Sequence, residues 1–281
     1  MEQPDELTFI RNTAAKTRTS AVTGPAAVLI HGIKPLDRVE VVDLVLPGQV
    51  NPSMRHLWPK NSRFRSGYLP SEHIRTKEGV RVVSLIRALF DTHRYYGEIA
   101  GATAIDAARK KWPSLTTPEL HQRAESIARC KGIKKFRQAI DASRDDMDSA
   151  LDTRARLTLE AADLPEVKSL EFQANITFED PQGRLSNYRV DALINGFLIC
   201  EFDGLVKYQE KFGETVQDVL AKERMREHHL LTAGFPIVRA HWAELDPENP
   251  DASSFVNRLR QALERYPVPH QPPARHIKVG T

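Results

Sequence analysis

Three carboxylates interrupt apolar strands within one short stretch, Arg189 to Tyr208 (RVDALINGFLICEFDGLVKY). Asp191, Glu201 and Asp203 fall in or next to two runs, Val190 to Ile194 and Phe197 to Phe202, that are apolar on both faces, as in strands covered on two sides. Carboxylates rarely enter such strands without a partner. Gathered on one half-buried face they would repel each other and raise their own pKa values, unless a divalent cation or basic side chains neutralised them. Oxygen donors of this kind suit Mg²⁺ or Mn²⁺, and such an ion can polarise a phosphoryl oxygen and activate water. The spacing therefore nominates Asp191, Glu201 and Asp203 as metal ligands. The plainer reading has the same acids solvated or salt-bridged at a strand end, with Arg189 and Lys207 as partners. Three converging acids followed by Gly204 and Lys207 favour the first.

A β-hairpin must position them. Asn195-Gly196 favours a tight turn that needs positive φ. Glu201 and Asp203 are two apart and share a side of their strand, whereas Asp191 joins them only if the loop length allows. A two-residue turn would pair Ile194 with Phe197 and turn Asp191 away. A three-residue Ile194-Asn195-Gly196 loop would pair Leu193 with Phe197 and set Asp191 beside Ile199, near Glu201. The second register is the one expected.

The arrangement Asp191, then Glu201-Phe202-Asp203-Gly204, then Lys207-Tyr208 resembles the PD-(D/E)XK nuclease superfamily. More narrowly it is similar to the branch related to very-short-patch repair endonucleases, where the second acidic motif reads Glu-x-Asp-Gly. The superfamily's Glu-x-Lys has its lysine where this chain has Asp203, and Lys207 would supply the cation from the next turn. A second block carries the likeness further. It is the Glu223-x-x-Arg226 helix, then Gly234-Phe235-Pro236-Ile237-Val238-Arg239 and Trp242-x-x-Leu245. The resemblance covers about residues 149 to 266. It implies Mg²⁺-dependent cleavage of DNA, with Asp191, Glu201, Asp203, Lys207 and Asp152 as the catalytic set. Asp152 matches an acid supplied by a helix before the sheet, with Glu160 in reserve. The bare sequence reads Asp152, Arg156 and Glu160 equally well as a surface ladder of i, i+4 pairs.

The acidic connector Asp145 to Ser149 is the expected domain boundary. After it, Ala150 to Ala162 reads as an amphipathic helix, Leu170 to Phe178 as a strand with Gln173 in its middle, and Val216 to Thr232 as a helix. Arg226 and Arg239 would bind either nucleic acid or the acidic face. Phe255 to Tyr266 closes the domain, and 267–281, rich in Pro, is expected to be a disordered tail.

The amino-terminal half is basic and mixed. Ala21 to Ile33 reads as a short helix ended by Gly32, Val39 to Leu46 as a strand, and Val80 to Val83 as another. From Leu85 to Asp141 the pattern is helical, with Thr117 the expected N-cap before Pro118. Between Asn51 and Gly67, Arg63 and Arg65 are interleaved with Trp58 and Phe64, a mixture that suits phosphates and stacked bases and equally a solvated loop folded around Trp58. Lys134 and Lys135 belong to a helical basic cluster that would follow a phosphate backbone. The series His31-Gly32, Gly79 to Ser84, then Arg87-x-Leu89-x-Asp91 resembles the central region of AbiEi-like proteins of type IV toxin-antitoxin systems, over about residues 20 to 145. That resemblance implies a regulatory or antitoxin role with a cognate toxin as partner. Only about twenty residues precede the match, so the winged helix of many such proteins is not expected.

The full chain of 281 residues, 41% hydrophobic and 27% charged with net charge +3, describes a soluble globular protein compatible with a nucleic-acid partner. Its two cysteines form neither a zinc spacing nor a disulfide framework, which points to a reducing cytoplasm. No apolar run reaches membrane-spanning length. The expectation is a polar lead-in (1–19), an AbiEi-like α/β and helical domain (20–145), a restriction-endonuclease-like α/β domain with a mixed sheet between helices (146–266), and the tail.

Overall fold

The computed structural model describes residues 5–48, 52, 54–127, 130–179, 185–203 and 216–266. Lys207, with Gly204 and Tyr208, lies outside the described residues, as does the 267–281 segment. The chain divides into two compact units, Met1–Asp148 and Ser149–Thr281. Each is mixed α/β and has a mixed sheet of its own.

The first unit runs α1 (Glu6–Ala14), β1 (Ala21–Thr23), α2 (Gly24–Ile30), β2 (Val42–Val45), β3 (Ser62–Arg65), β4 (Ile74–Lys77), β5 (Val80–Val83) and α3 (Leu85–Tyr96). Three further helices follow, α4 (Glu98–Lys111), α5 (Thr117–Ala124) and α6 (Ile133–Asp141). The sheet order is β3-β2-β1-β5-β4, with β1 antiparallel to β2 and parallel to β5. Ala21 to Ile33 is thus not one helix. It opens as a strand, in which Val22 and Thr23 pair with Leu44 and Asp43, and the chain turns into α2 at Gly24, whose φ is +61°. A Cβ there would meet the Asp43 Oδ2 at 3.2 Å as well as strain the backbone. The strand β4 went unread because its middle residues, Arg75 and Thr76, are exposed and leave no apolar run. The cap of α5 is Thr116 rather than Thr117, since its hydroxyl accepts the Glu119 N–H at 3.4 Å.

Charge is buried in this unit, and it is paired. Arg87 Nε donates to Asp91 Oδ2 at 2.9 Å one helical turn away, the Thr23 hydroxyl donates to the same oxygen at 2.6 Å, and Arg87 Nη1 reaches the Tyr68 carbonyl at 3.0 Å. Both partners of the ion pair are nearly inaccessible, with side chains 6% and 1% exposed. The Arg-x-Leu-x-Asp motif is therefore a clamp between β1, α3 and the loop before β4.

The second unit runs α7 (Ala150–Ala162), β6 (Leu170–Glu179), β7 (Leu185–Ile194), β8 (Leu198–Phe202), α8 (Val216–Thr232), β9 (Ile237–Ala240) and α9 (Ser254–Arg265). Its sheet order is β6-β7-β8-β9. The first three strands are antiparallel neighbours, while β9 returns through α8 to lie parallel to β8. One face packs Leu193 and Ile199 with Leu230 of α8 and with Phe235. On the other, Phe202 meets Phe255 of α9 edge-on, ring centroids 6.1 Å apart. The β7-β8 hairpin is central, covered on both sides.

The hairpin loop holds three residues, as expected, but they are Asn195, Gly196 and Phe197, not Ile194, Asn195 and Gly196. Leu193 consequently pairs with Ile199 rather than Phe197, and Ile194 with Leu198. Asn195 and Gly196 both take positive φ, and the Asn195 side chain explains the shift. Its Oδ1 accepts the backbone N–H groups of Lys168 and Ser169, and its Nδ2 donates to the Glu166 carbonyl, so the turn is fastened to the segment before β6.

Replacing Arg87 by Met leaves Asp91 buried without its cation. We expect a loss of about 3 kcal/mol, read by thermal denaturation, and partial recovery when Asp91→Asn is added. No recovery in the double variant would mean that the pair is not the clamp.

Candidate active site

The observed register, extended one rung past Ala192 and Cys200, sets Asp191 directly across from Glu201. Glu201 in turn pairs with Arg239 on β9. Asp203 follows Glu201 on the same side, its N–H continuing the ladder to the Ala240 carbonyl at 2.9 Å. All three acids thus fall near the carboxyl end of β8, where Asp191 and Asp203 act electrostatically on Glu201.

Each has a role in the protein as it stands. Asp191 Oδ2 accepts the Phe202 N–H at 2.7 Å, so a carboxylate stands where a ladder carbonyl would. Glu201, 8% exposed, accepts from Arg226 Nη2 at 2.7 Å, and that guanidinium also donates to the Arg189 carbonyl at 2.8 Å. Asp203 is bridged to Arg239 at 3.1 Å, and Arg239 reaches Glu227 of α8 at the same distance. The partners expected of a purely structural set were Arg189 and Lys207, of which Lys207 lies outside the described residues; Glu201 and Asp203 have Arg226 and Arg239 as ion-pair partners.

Electrostatics mark Glu201 as the unusual member. Burial pushes its carboxyl up to about 7, Asp191 and Asp203 add to the rise, and Arg226 and Arg239 only partly oppose it. A shallow pocket opens here. Its wall carries four carboxylates, Glu201, Asp203, Glu223 and Glu227, against two guanidiniums, Arg226 and Arg239. The excess of acid comes from α8, where positions 223, 226, 227 and 230 share one face. That spacing was the available signal for Glu227, which sequence reasoning passed over.

Asp152 is buried near the start of α7, where its N–H is capped by the Ser149 hydroxyl at 3.2 Å, and it is not among the charges that weigh most on Glu201. Glu160 pairs with the fully buried Arg156 at 2.9 Å. Among the described residues no three carboxylates, imidazoles or thiols are drawn together as a ready metal group. Asp191, Glu201 and Asp203 still fit a hard divalent cation in donor type and in shared face. Their arginine partners are 33% and 43% exposed, so both can swing into solvent.

The residues expected to touch nucleic acid divide in the first unit. Lys134 and Lys135 are exposed on α6. Arg65 instead is drawn inward, donating to Asp43 at 2.9 Å beneath the Tyr95 ring, whose centroid lies 4.2 Å from the guanidinium carbon. Arg63, more exposed, comes within 4.0 Å of the same aspartate. Tyr96 shares the Asp43 hydrogen bonding, and burial pushes its phenol up to about 12. Asp43, flanked on both sides by apolar residues within the Val39 to Leu46 run, was the sequence signal for this cluster. No helix among the described residues is long and apolar enough to cross a membrane.

Set beside known proteins, the chain matches no protein-family model, no curated protein and no solved structure.

The high pKa of Glu201 has a signed consequence for stability. Between about 4.5, the carboxyl's ordinary value, and about 7 the folded state holds a proton that the unfolded state has released. Stability contributed by this group is therefore lost as pH rises through that window, by up to about 3 kcal/mol. In chelator, the melting temperature of the wild type should fall relative to Glu201→Gln between pH 5 and pH 8. A constant difference would show that Arg226 keeps Glu201 ionised throughout.

Proposed function

We propose that the second unit is a metal-dependent nuclease of the PD-(D/E)XK type, acting on DNA phosphodiester bonds. The observation that carries this reading is that Asp191 and Asp203 both act on Glu201 at one strand end, where Glu201 is buried with a raised pKa. A sheet that needed only packing would place an apolar residue there. The mixed sheet with its hairpin central and helices on both faces agrees with the restriction-endonuclease type that the sequence resembles. Asp191 and Glu201 would hold Mg²⁺ or Mn²⁺, with Asp203 as a further oxygen donor. Bound there, the ion would polarise the phosphoryl oxygen and lower the pKa of an attacking water. Arg226 and Arg239 neutralise the acids in the metal-free protein. Once displaced, they stand at the pocket rim to draw in phosphate. Lys134 and Lys135 would add affinity without sequence preference.

One observation favours a second reading, a non-catalytic binder such as an AbiEi-like antitoxin with a cognate toxin. Asp203 occupies the place of the superfamily lysine, and its carboxylate is spent on Arg239. The two readings differ in what Mn²⁺ does.

Calorimetric titration with Mn²⁺ should show binding to the wild type that Asp191→Asn and Glu201→Gln each weaken by about tenfold or more, the scale of losing one charged ligand, with plasmid cleavage lost in both. A wild type indifferent to Mn²⁺ would leave the binder. Separately, Lys134→Glu with Lys135→Glu should reduce the slope of log affinity for duplex DNA against log salt by about two, one per phosphate contact removed. An unchanged slope takes α6 out of the interface.

A further inference from the structure

Gln173 occupies the middle of β6 with φ at +51°, a left-handed conformation that a non-glycine residue inside a strand adopts only under constraint. Its neighbours Phe172 and Ala174 make regular pairs with Ala192 and Val190, so the count places Gln173 opposite Asp191, and at that rung no regular pair forms. The side-chain Nε2 is buried and, among the described residues, has no hydrogen-bond partner. Two separate local costs, a strained backbone and an unsatisfied amide donor, therefore meet in one residue.

The position of that residue is informative. By count along the neighbouring pairs, Gln173 on β6 falls opposite Asp191 on β7 and Asp191 opposite Glu201 on β8, which itself pairs with Arg239 on β9. The adjoining rungs read Phe172, Ala192, Cys200, Val238 on one side and Ala174, Val190, Phe202, Ala240 on the other, wholly apolar. The strained glutamine thus lies, by count, in a polar row that contains Asp191 and Glu201. Packing does not account for it, since a glycine would relieve the φ and an apolar side chain would leave no orphaned donor.

We propose that Gln173 is a substrate-positioning residue of this site, its side-chain amide donating a hydrogen bond to a non-bridging oxygen of the DNA phosphodiester held over Asp191 and Glu201. An amide suits the place. It offers N–H to a phosphate oxygen without adding a cation that would pair with Asp191 and Glu201, as an arginine or lysine would. The proposal rests on the nuclease reading of the second unit.

The test uses the full chain carrying Glu201→Gln, so that no cleavage intervenes, and a short duplex DNA followed by fluorescence anisotropy. Gln173→Gly removes the donor and relieves the backbone. It should hold or raise the melting temperature and weaken DNA binding by about tenfold or more, the scale of one lost hydrogen bond to a charged acceptor. Gln173→Glu, of the same size but without the donor, should weaken binding further. Gln173→Asn tolerates left-handed φ and keeps an amide, so it should fall between the wild type and Gly. Because the amide is neutral, the neutral Gly and Asn variants should leave the salt slope where it was, unlike changes at Lys134 and Lys135. If the parent binds duplex and the Gly and Glu variants bind it equally well, Gln173 has no positioning role while the nuclease reading stands. A fall in melting temperature with unchanged affinity likewise makes it purely structural. A parent without affinity for duplex overturns both the nuclease reading and this role.

Discussion

Glu201 sits in the interior of a four-stranded sheet, and its removal from water dictates what surrounds it. Desolvation raises the free energy of the ionised carboxylate, and Asp191 and Asp203 raise it further, so the rest of the site is arranged to limit that cost. Arg226 comes from α8 and Arg239 from β9, and each does double duty. Arg226 joins Glu201 to the Arg189 carbonyl, and Arg239 joins Asp203 to Glu227. The central placement of the hairpin, the crossover through α8 and the parallel return of β9 all serve to bring those two cations to the end of β8.

The first unit solves a similar problem with a different outcome. Asp43 and Asp91 are as deeply buried as Glu201, but their hydrogen-bonded partners Arg65 and Arg87 are themselves enclosed. Arg65 is covered by Tyr95, and Arg87 is held to Asp91, the Tyr68 carbonyl and the Phe90 ring. Such pairs fix a fold without facing a ligand. In the second unit the cations are half open to solvent, and the pocket beside them keeps more acid than base. Exposure of the partner, more than burial of the acid, separates a structural ion pair from a candidate site.

Much of this was legible in the sequence. Apolar periodicity located the helices α7, α8 and α9, and acids in apolar strands singled out Asp191, Glu201 and Asp203. The hairpin register was read with the right loop length and the wrong loop residues. Turn propensity speaks only for Asn195 and Gly196, whereas the register also depends on the Asn195 side chain gripping Glu166, Lys168 and Ser169. A tertiary contact decided what local preference could not. Arg65 was misjudged for a similar reason. Alternation of basic and aromatic residues is common to phosphate-binding surfaces and to cation-π packing, and only the position of Asp43 on the neighbouring strand distinguishes them. Gln173 carried no signal of strain, because φ is invisible in composition.

The crossover through α8 also sets an order in time. Asp191, Glu201 and Asp203 leave the ribosome before Arg226 and Arg239, and β8 gains its neighbour β9 only after α8 has been made. Until then the growing chain carries an antiparallel hairpin with one open edge and an acidic row lacking its cations. Mutual repulsion among those carboxylates discourages two such nascent hairpins from pairing edge to edge. The acids then gain their cations in two stages, Arg226 with α8 and Arg239 with β9, and only the second also closes the open edge of β8.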